Sequence, residues 1–229
     1  GIALRLGELG ARVVVTDIAE TGIADTVKQI EAAGGTALGQ KLDVSDPASV
    51  NAAFDETERW DKCVDVLVNN AGIRVRKAFG EFSHDDFNRV VAINLRAPFI
   101  ASQAVVPIMK SQGGGHIVHM ASSLGIVASR YGAVYNLTKA GLIQLTRSMA
   151  LEVGGDGISV NAVCPGPVST EGFLAGRNPG ELKQRARDVP IGRFGTVEEV
   201  AGTVAFLVSK DAAYVLGHAL VMDGGYIVH

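Results

Sequence analysis

The sequence predicts a single α/β domain built on a doubly wound parallel sheet, in three layers α/β/α. Three observations predict it. Short apolar runs rich in β-branched residues alternate with longer segments of helical periodicity. The runs are continuously apolar, as strands covered on both faces are. Polar residues and glycines gather just after the runs, where a parallel sheet turns all its carboxyl ends to one edge.

A helix over 2–9 stops at Gly10, and a strand over 13–16 leads to Asp17. A helix over 21–33 stops at Gly34, and a strand over 36–42 leads to Asp43. Ser45-Asp46-Pro47 starts the helix over 47–60: a side-chain acceptor is followed by a residue with no N–H to satisfy. The strand over 64–68 runs into Asn69-Asn70-Ala71-Gly72. A long helical segment over 85–111 precedes the strand over 116–120, which leads to Ser122. The helix over 135–153 is followed by a strand over 158–163 and then Pro165-Gly166. A helix over 197–209 and a strand over 219–222 complete the pattern. Residues 168–195 break the rhythm: they are rich in Gly, Pro and charge, with one short helix over 180–188. Such an insertion reads as a substrate-binding loop or lid. No repeat or linker appears, so residues 1–229 read as one domain.

With 47% hydrophobic residues in a chain of 229, one substantial core is expected. A net charge of −3 leaves no basic footprint for nucleic acid and no polybasic membrane patch. No uncharged apolar run reaches the ~18 residues of a membrane span. No signal peptide is visible, and a cytoplasmic protein is expected. Cys63 and Cys164 read as separate buried thiols. His84, His116, His119, His218 and His229 form no helical ligand pair, so no metal is expected.

Chemistry concentrates at Tyr135 and Lys139, four apart on one helix face, with Ser122 thirteen residues before the tyrosine. A free phenol with a pKa near ~10 is a poor base at neutral pH. A neighbouring ammonium favours the phenolate, so Lys139 is expected to pull Tyr135 toward the working range. Ser122 would hydrogen-bond the oxygen of an alcohol or carbonyl.

Six segments carry a family resemblance: Asn69-Asn70-Ala71-Gly72, Ile93-Asn94-Leu95, Ala121-Ser122-Ser123-Leu124-Gly125, Tyr135-Asn136-Leu137-Thr138-Lys139, Pro165-Gly166-Pro167-Val168-Ser169-Thr170 and Met222-Asp223-Gly224-Gly225. In order and spacing they resemble the short-chain dehydrogenase/reductase family over essentially the whole chain. The resemblance implies a Rossmann-like fold and hydride transfer between a nicotinamide dinucleotide and the CH-OH or C=O group of a small alcohol, sugar or ketone. It makes Asn94, Ser122, Tyr135 and Lys139 catalytic, Ser122 being preferred to Ser123 by its register with Gly125. Tyr135 becomes the general acid/base. Lys139 holds the nicotinamide ribose, and Asn94 a water that links the lysine to solvent. Asp43 and Val44 would meet the adenine, Asn70, Ala71 and Gly72 the cofactor's close approach, and Pro165, Gly166, Val168 and Thr170 the nicotinamide carboxamide.

Asp17 ends the second strand of the family pattern, with Ile18 beside it. A carboxylate there accepts from both ribose hydroxyls and repels a 2′-phosphate, which points to NAD rather than NADP. It also suits an N-cap for the helix that follows. The family's first strand and its T-G-x-x-x-G-x-G loop would lie before Gly1. Without that strand, its two neighbours in the sheet are expected to lack a partner. An NADP(H)-dependent 3-oxoacyl thioester reductase and a non-catalytic dinucleotide-binding sensor or scaffold remain alternatives. Arg74, Arg76 and Lys77 read either as a solvated loop or as a mouth for an anionic substrate. A homotetramer is expected through the helices over 85–111 and 135–153 (Ile93, Phe99, Val105, Leu142, Leu145), with a second interface from Ala219 onward.

Overall fold

A computed structural model describes residues 1–228; His229 lies outside the described residues. Two parallel sheets carry the chain. In the first, β1 (Arg12–Asp17) pairs with β2 (Thr36–Lys41), Val13 opposite Ala37 and Asp17 opposite Lys41. The second has the order β3 (Val66–Asn69), β4 (Gly115–Met120), β5 (Ile158–Pro165), β6 (Ala219–Met222). Asn69 stands opposite His119, Met120 opposite Val163, and Pro165 opposite Met222. Every pairing is parallel, so the carboxyl ends share one edge within each sheet. Among the described residues no ladder joins the two sheets, and β1 and β3 each pair on one side.

Helices cover both faces of the four-stranded sheet. Ile117 and Val118, 0% and 1% exposed, point to opposite faces. Ile117 packs with Val105, Met109, Ile158 and Val160. Val118 packs with Met120, Val163, Val200, Val204 and Leu207. The first layer is formed by α5 (Ala97–Ser111) and α6 (Ala133–Val153), the second by α9 (Val197–Leu207). The short α1 (Ile2–Glu8) joins the two sheets: Ile2 packs into the Val118 cluster, while Ala3 and Leu4 pack on Val15, Ile23 and Ile30 under β1. Burying side chains of this kind contributes roughly 1.5–3 kcal/mol each.

The local signals act as read. Gly10 (φ 90°) and Gly34 (φ 84°) follow α1 and α2 (Glu20–Ala32) in the left-handed region. Asp46 caps α3 (Pro47–Asp61) through Ala48 N at 3.0 Å. The longest helix differs. The helix read over 85–111 is α4 (His84–Val91), a single π-helical turn at Ala92–Arg96, then α5. The extra residue per turn re-aims Asn94 inward. By composition this run, His84–Ser111, is long and apolar enough to cross a bilayer. Here Val90, Ala97, Val105 and Met109 are buried in the protein.

Residues 168–195 hold α7 (Glu171–Leu174), which periodicity missed, and α8 (Pro179–Arg187). The two ends of the segment are tied together. Val168 bridges Gly195, Ser169 N donates to Gly195 O at 2.9 Å, and Gly195 N donates to Pro167 O at 2.9 Å.

Candidate active site

Four side chains converge beyond the ends of β3, β4 and β5. Ser122 follows β4 in extended backbone and is 7% exposed. Its Oγ accepts from Leu124 N at 3.2 Å and donates to Pro165 O at 3.5 Å. The same hydroxyl lies near the Tyr135 phenol and pulls its pKa down. Ser123 instead opens the tight turn Ser123–Gly125, its carbonyl accepting from Ile126 and Val127. Gly125 lets that turn lie on α6: a Cβ there would stand 2.7 Å from the Lys139 carbonyl carbon.

Lys139 is 4% exposed and donates from Nζ to Met120 O at 2.6 Å. Burial pushes its pKa down to about 8. The expectation for Tyr135 is corrected here. Its phenol pKa lies above the ordinary value, because burial outweighs the nearby Ser122 hydroxyl and the charge of Arg74, which both pull it back. Arg74 is the cation credited with that pull, its guanidinium 5.2 Å from the ring centre, while Lys139 Nζ sits at 5.6 Å and is engaged with Met120.

Asn94 is fully buried on the π-helical turn. Its Oδ1 accepts from Ile73 N at 2.8 Å, and its Nδ2 donates to Ile73 O at 2.9 Å and Thr138 Oγ1 at 3.3 Å. A mid-helix Asn thus has its local reason. Thr138 Oγ1 in turn donates to Tyr135 O at 2.8 Å, connecting Asn94 to the tyrosine's own turn.

His119 was not singled out by sequence reasoning. It is fully buried on β4, with Nδ1 3.1 Å from Asn69 Nδ2. That contact makes Nδ1 the acceptor and leaves the proton on Nε2, which is buried without a partner. Burial and the Lys139 charge push its pKa down to about 4, so it is neutral. Its one sequence signal was a histidine inside an apolar strand. Asn69 also approaches Ser102 Oγ at 3.4 Å and so supports the central strand.

The remaining predicted residues fall into two groups. Asn70, Ala71 and Gly72 are exposed after β3; a Cβ at Gly72 would lie 3.6 Å from both Asn94 Oδ1 and Lys139 Nζ. Pro165 ends β5, Gly166 and Val168 follow it, and exposed Thr170 caps α7 through Phe173 N at 3.1 Å. Gly166 admits no side chain, since a Cβ would meet Asp223 at 2.6 Å. Asp223 itself accepts from Gly225 N and Ile227 N, so the terminal D-G-G motif forms a turn that abuts this segment. Asp17 ends β1 with Ile18 after it, and Asp43 and Val44 follow β2, all at the edge of the smaller sheet. Asp17 Oδ1 accepts from Ala19 N at 2.9 Å, and Ile18 is 64% exposed. Asp43 accepts from Ser45 N and Oγ at 2.9 and 2.7 Å. Cys63 and Cys164 are both free, and burial pushes Cys164 up to about 11.

This geometry fits a nicotinamide dinucleotide where it can be tested. Exposed Asp17 at a strand end retains acceptor capacity for a ribose diol. Lys139 has a desolvated ammonium with donors beyond its single carbonyl partner, beside the space that Gly72 leaves open.

The family model described as Enoyl-(Acyl carrier protein) reductase matches residues 1–227. The chain belongs to the short-chain dehydrogenase/reductase family. Family membership makes it an oxidoreductase acting on CH-OH groups with a nicotinamide dinucleotide. A cis-4-hydroxycyclohexanecarboxylate dehydrogenase from Sinomonas cyclohexanicum is 39% identical, over 96% of this chain and 88% of that protein. A 2-(R)-hydroxypropyl-CoM dehydrogenase from Xanthobacter autotrophicus is 37% identical, over 98% and 92%. Among solved structures, a short-chain dehydrogenase/reductase variant from Serratia marcescens superposes with a TM-score of 0.92 at 36% identity, covering 98% of this chain and 91% of that one. These likenesses establish the single-domain fold of this short-chain dehydrogenase/reductase family member.

Proposed function

We propose that the protein is an NAD(H)-dependent dehydrogenase of a small secondary alcohol or its ketone, with Tyr135 as general acid/base. The observation that carries this reading is the gathering of the Ser122 hydroxyl, the Tyr135 phenol and the buried Lys139 ammonium at one strand edge, with Asn94 Oδ1 and Lys139 Nζ both 3.6 Å from a Cβ built at Gly72. The two hydroxyls mark one point where an alcohol oxygen is held from both sides. Tyr135 removes the hydroxyl proton and Ser122 donates to the same oxygen. The bound nicotinamide supplies the acceptor for the hydride. Lys139 holds the ribose, and its charge favours loss of the phenol proton once the phenol is presented to it. Asn94, fixed by Ile73 and Thr138, holds the water through which the proton leaves. Asp17 and Ile18 take the adenosine ribose, Asp43 and Val44 the adenine. Asn70, Ala71, Gly72, Pro165, Gly166, Val168 and Thr170 line the rest of the cofactor's path, and residues 168–195 cover the substrate.

The chain acts as a homotetramer in this reading. Phe99 on α5 and Leu151 on α6 are 46% and 89% exposed and supply an apolar outer face. Val105 and Leu142, expected at that interface, are instead buried within the protomer. Phe206 on α9 and Val221 on β6 are part-exposed and mark the second interface.

The relatives' substrates make a ring hydroxy acid and simple secondary alcohols the first compounds to try. NADH and NADPH are titrated by protein fluorescence, followed by NAD+-linked oxidation of 4-hydroxycyclohexanecarboxylate, its carboxamide and cyclohexanol. Tight NADH binding with turnover supports the reading. NADH binding with no turnover of any alcohol or ketone favours the sensor or scaffold, and preference for NADPH with a 3-oxoacyl thioester favours the reductase.

A further inference from the structure

One half-buried cation in the lid keeps a buried N–H group without a hydrogen-bond acceptor. Arg177 precedes α8 and lies with its guanidinium carbon 4.2 Å from the centre of the Phe173 ring. Phe173 meets Phe194 edge-on at 5.0 Å, and the ends of the segment are tied at Val168 and Gly195. Arg177 is therefore held on an aromatic support. Its Nη1 is buried with no hydrogen-bond partner. A buried N–H without an acceptor is unfavourable, and one on a charged group more so.

A second cation stands between the lid and the chemistry. Arg74 donates from Nη2 to Ser129 Oγ at 3.2 Å and lies beside the Tyr135 ring. The protein packed around it, then the charges of Arg76, Arg177 and Arg185, push the Arg74 pKa down, so these arginines share one field. Other cations nearby are neutralised: Lys77 pairs with Asp86 at 2.5 Å and Arg193 with Glu199 at 2.7 Å. Among the described residues, neither Arg74 nor Arg177 has an ion-pair partner. In a chain of net charge −3, this is a local excess of positive charge at the reacting centre.

Building on the active site assigned above, we propose that Arg177 and Arg74 form a carboxylate-binding subsite, and that the substrate is a hydroxy or oxo acid whose carboxylate lies a few bonds from the reacting carbon. A carboxylate offers the two-oxygen acceptor that matches the planar guanidinium fork. It fills the vacant valence of Arg177 and fixes the end of the substrate remote from Tyr135. Binding at that remote end orients the carbinol for Ser122 and Tyr135. The subsite also discriminates, because a neutral analogue leaves the buried Nη1 of Arg177 without an anionic acceptor.

The test measures recognition apart from turnover. Calorimetry compares cyclohexanecarboxylate with cyclohexanecarboxamide, and kcat/KM compares 4-hydroxycyclohexanecarboxylate with its carboxamide. The wild type should favour the acid about tenfold or more in both readouts, the scale of a hydrogen bond to a charged group. Arg177→Gln should bring both ratios toward one, Arg177→Lys should retain part of the preference, and Arg177→Glu should turn it toward 4-(aminomethyl)cyclohexanol. Equal affinity of wild type for acid and amide overturns the subsite, as does a preference untouched by Arg177→Gln and Arg177→Glu. Tight, Arg177-dependent binding of the acid with no turnover of any alcohol keeps the subsite and overturns the dehydrogenase reading. Turnover of neutral alcohols with no preference for acids does the reverse.

Discussion

The Asn94 carboxamide closes a two-bond ring with the backbone of Ile73, accepting from its N–H at 2.8 Å and donating to its carbonyl at 2.9 Å. This ring ties the π-helical turn to the segment after β3. Asn94→Ala removes both bonds from a fully buried place, and each backbone group left alone costs about 1–3 kcal/mol. Urea unfolding should show a loss in that range or above it. Stability within about 0.5 kcal/mol of wild type would mean that the ring does not hold the turn.

Tyr135→Phe deletes one oxygen from the point where two hydroxyls meet. Dinucleotide affinity should stay within a few-fold, while kcat falls by about 10²–10⁴, the range of general acid–base catalysis. Fluorescence titration and steady-state kinetics separate the two. A kcat within tenfold of wild type would remove Tyr135 from the proton step.

Lys139 gives a pH dependence whose sign is fixed by burial. Its pKa is held down to about 8 in the folded protein against an ordinary 10.5. Between those values the unfolded chain carries a proton that the folded chain lacks, so the lysine's contribution to stability rises with pH across that window. The contribution is complete above pH 10.5 and is lost as pH falls to about 8. The full change is on the order of 3 kcal/mol. Lys139→Met abolishes this titration. The unfolding free energy of wild type minus that of the variant should be flat below about pH 7 and climb between about pH 8 and 10. A difference independent of pH would show that the folded protein does not depress this lysine.

How much of this was legible in the chain depended on the range of the cause. Strand and helix bounds follow from period, caps and glycines, which act within a few residues, and most agree with the structure to within two residues. The π-helical turn at Ala92–Arg96 left no periodic trace, because its neighbours on both sides are ordinary helix. The positions of Ser122, Tyr135 and Lys139 were readable from spacing, but the electrostatics were not. Spacing placed Lys139 beside the phenol and could not say that its ammonium turns to Met120 O. Arg74 acts on the ring from a loop 61 residues away in sequence (135 − 74). Likewise the missing partner of Arg177 depends on Phe173 and on every acid that fails to reach it.

Asp17 decides between the two dinucleotides in the proposed reading. Its Oδ1 already accepts from Ala19 N, which fixes the carboxylate at the strand end. Asp17→Ala removes the repulsion of a 2′-phosphate and the acceptor for the ribose hydroxyls together. The ratio of NADH to NADPH affinity should fall at least tenfold, about 1.4 kcal/mol. An unchanged ratio in paired fluorescence titrations would place cofactor choice elsewhere.

Gly125 couples the serine loop to the tyrosine helix. The turn Ser123–Gly125 lies on α6 so closely that a Cβ at Gly125 would stand 2.7 Å from the Lys139 carbonyl carbon, 2.8 Å from its oxygen and 2.9 Å from Ala140 N. These are backbone atoms inside a helix and cannot swing aside as a flexible side chain would. Gly125→Ala must push the turn away from α6, and overpacking of this kind costs about 1–3 kcal/mol. Because Ser122 immediately precedes the turn, the same displacement lengthens its contact with Tyr135. The variant should therefore lose stability and kcat together, while the substrate's KM changes less. Measuring both at a temperature well below the variant's midpoint separates misalignment from unfolding. A Gly125→Ala protein with wild-type kcat would show that the serine loop can shift from the helix without disturbing the pair of hydroxyls, and would rule out the turn as their spacer.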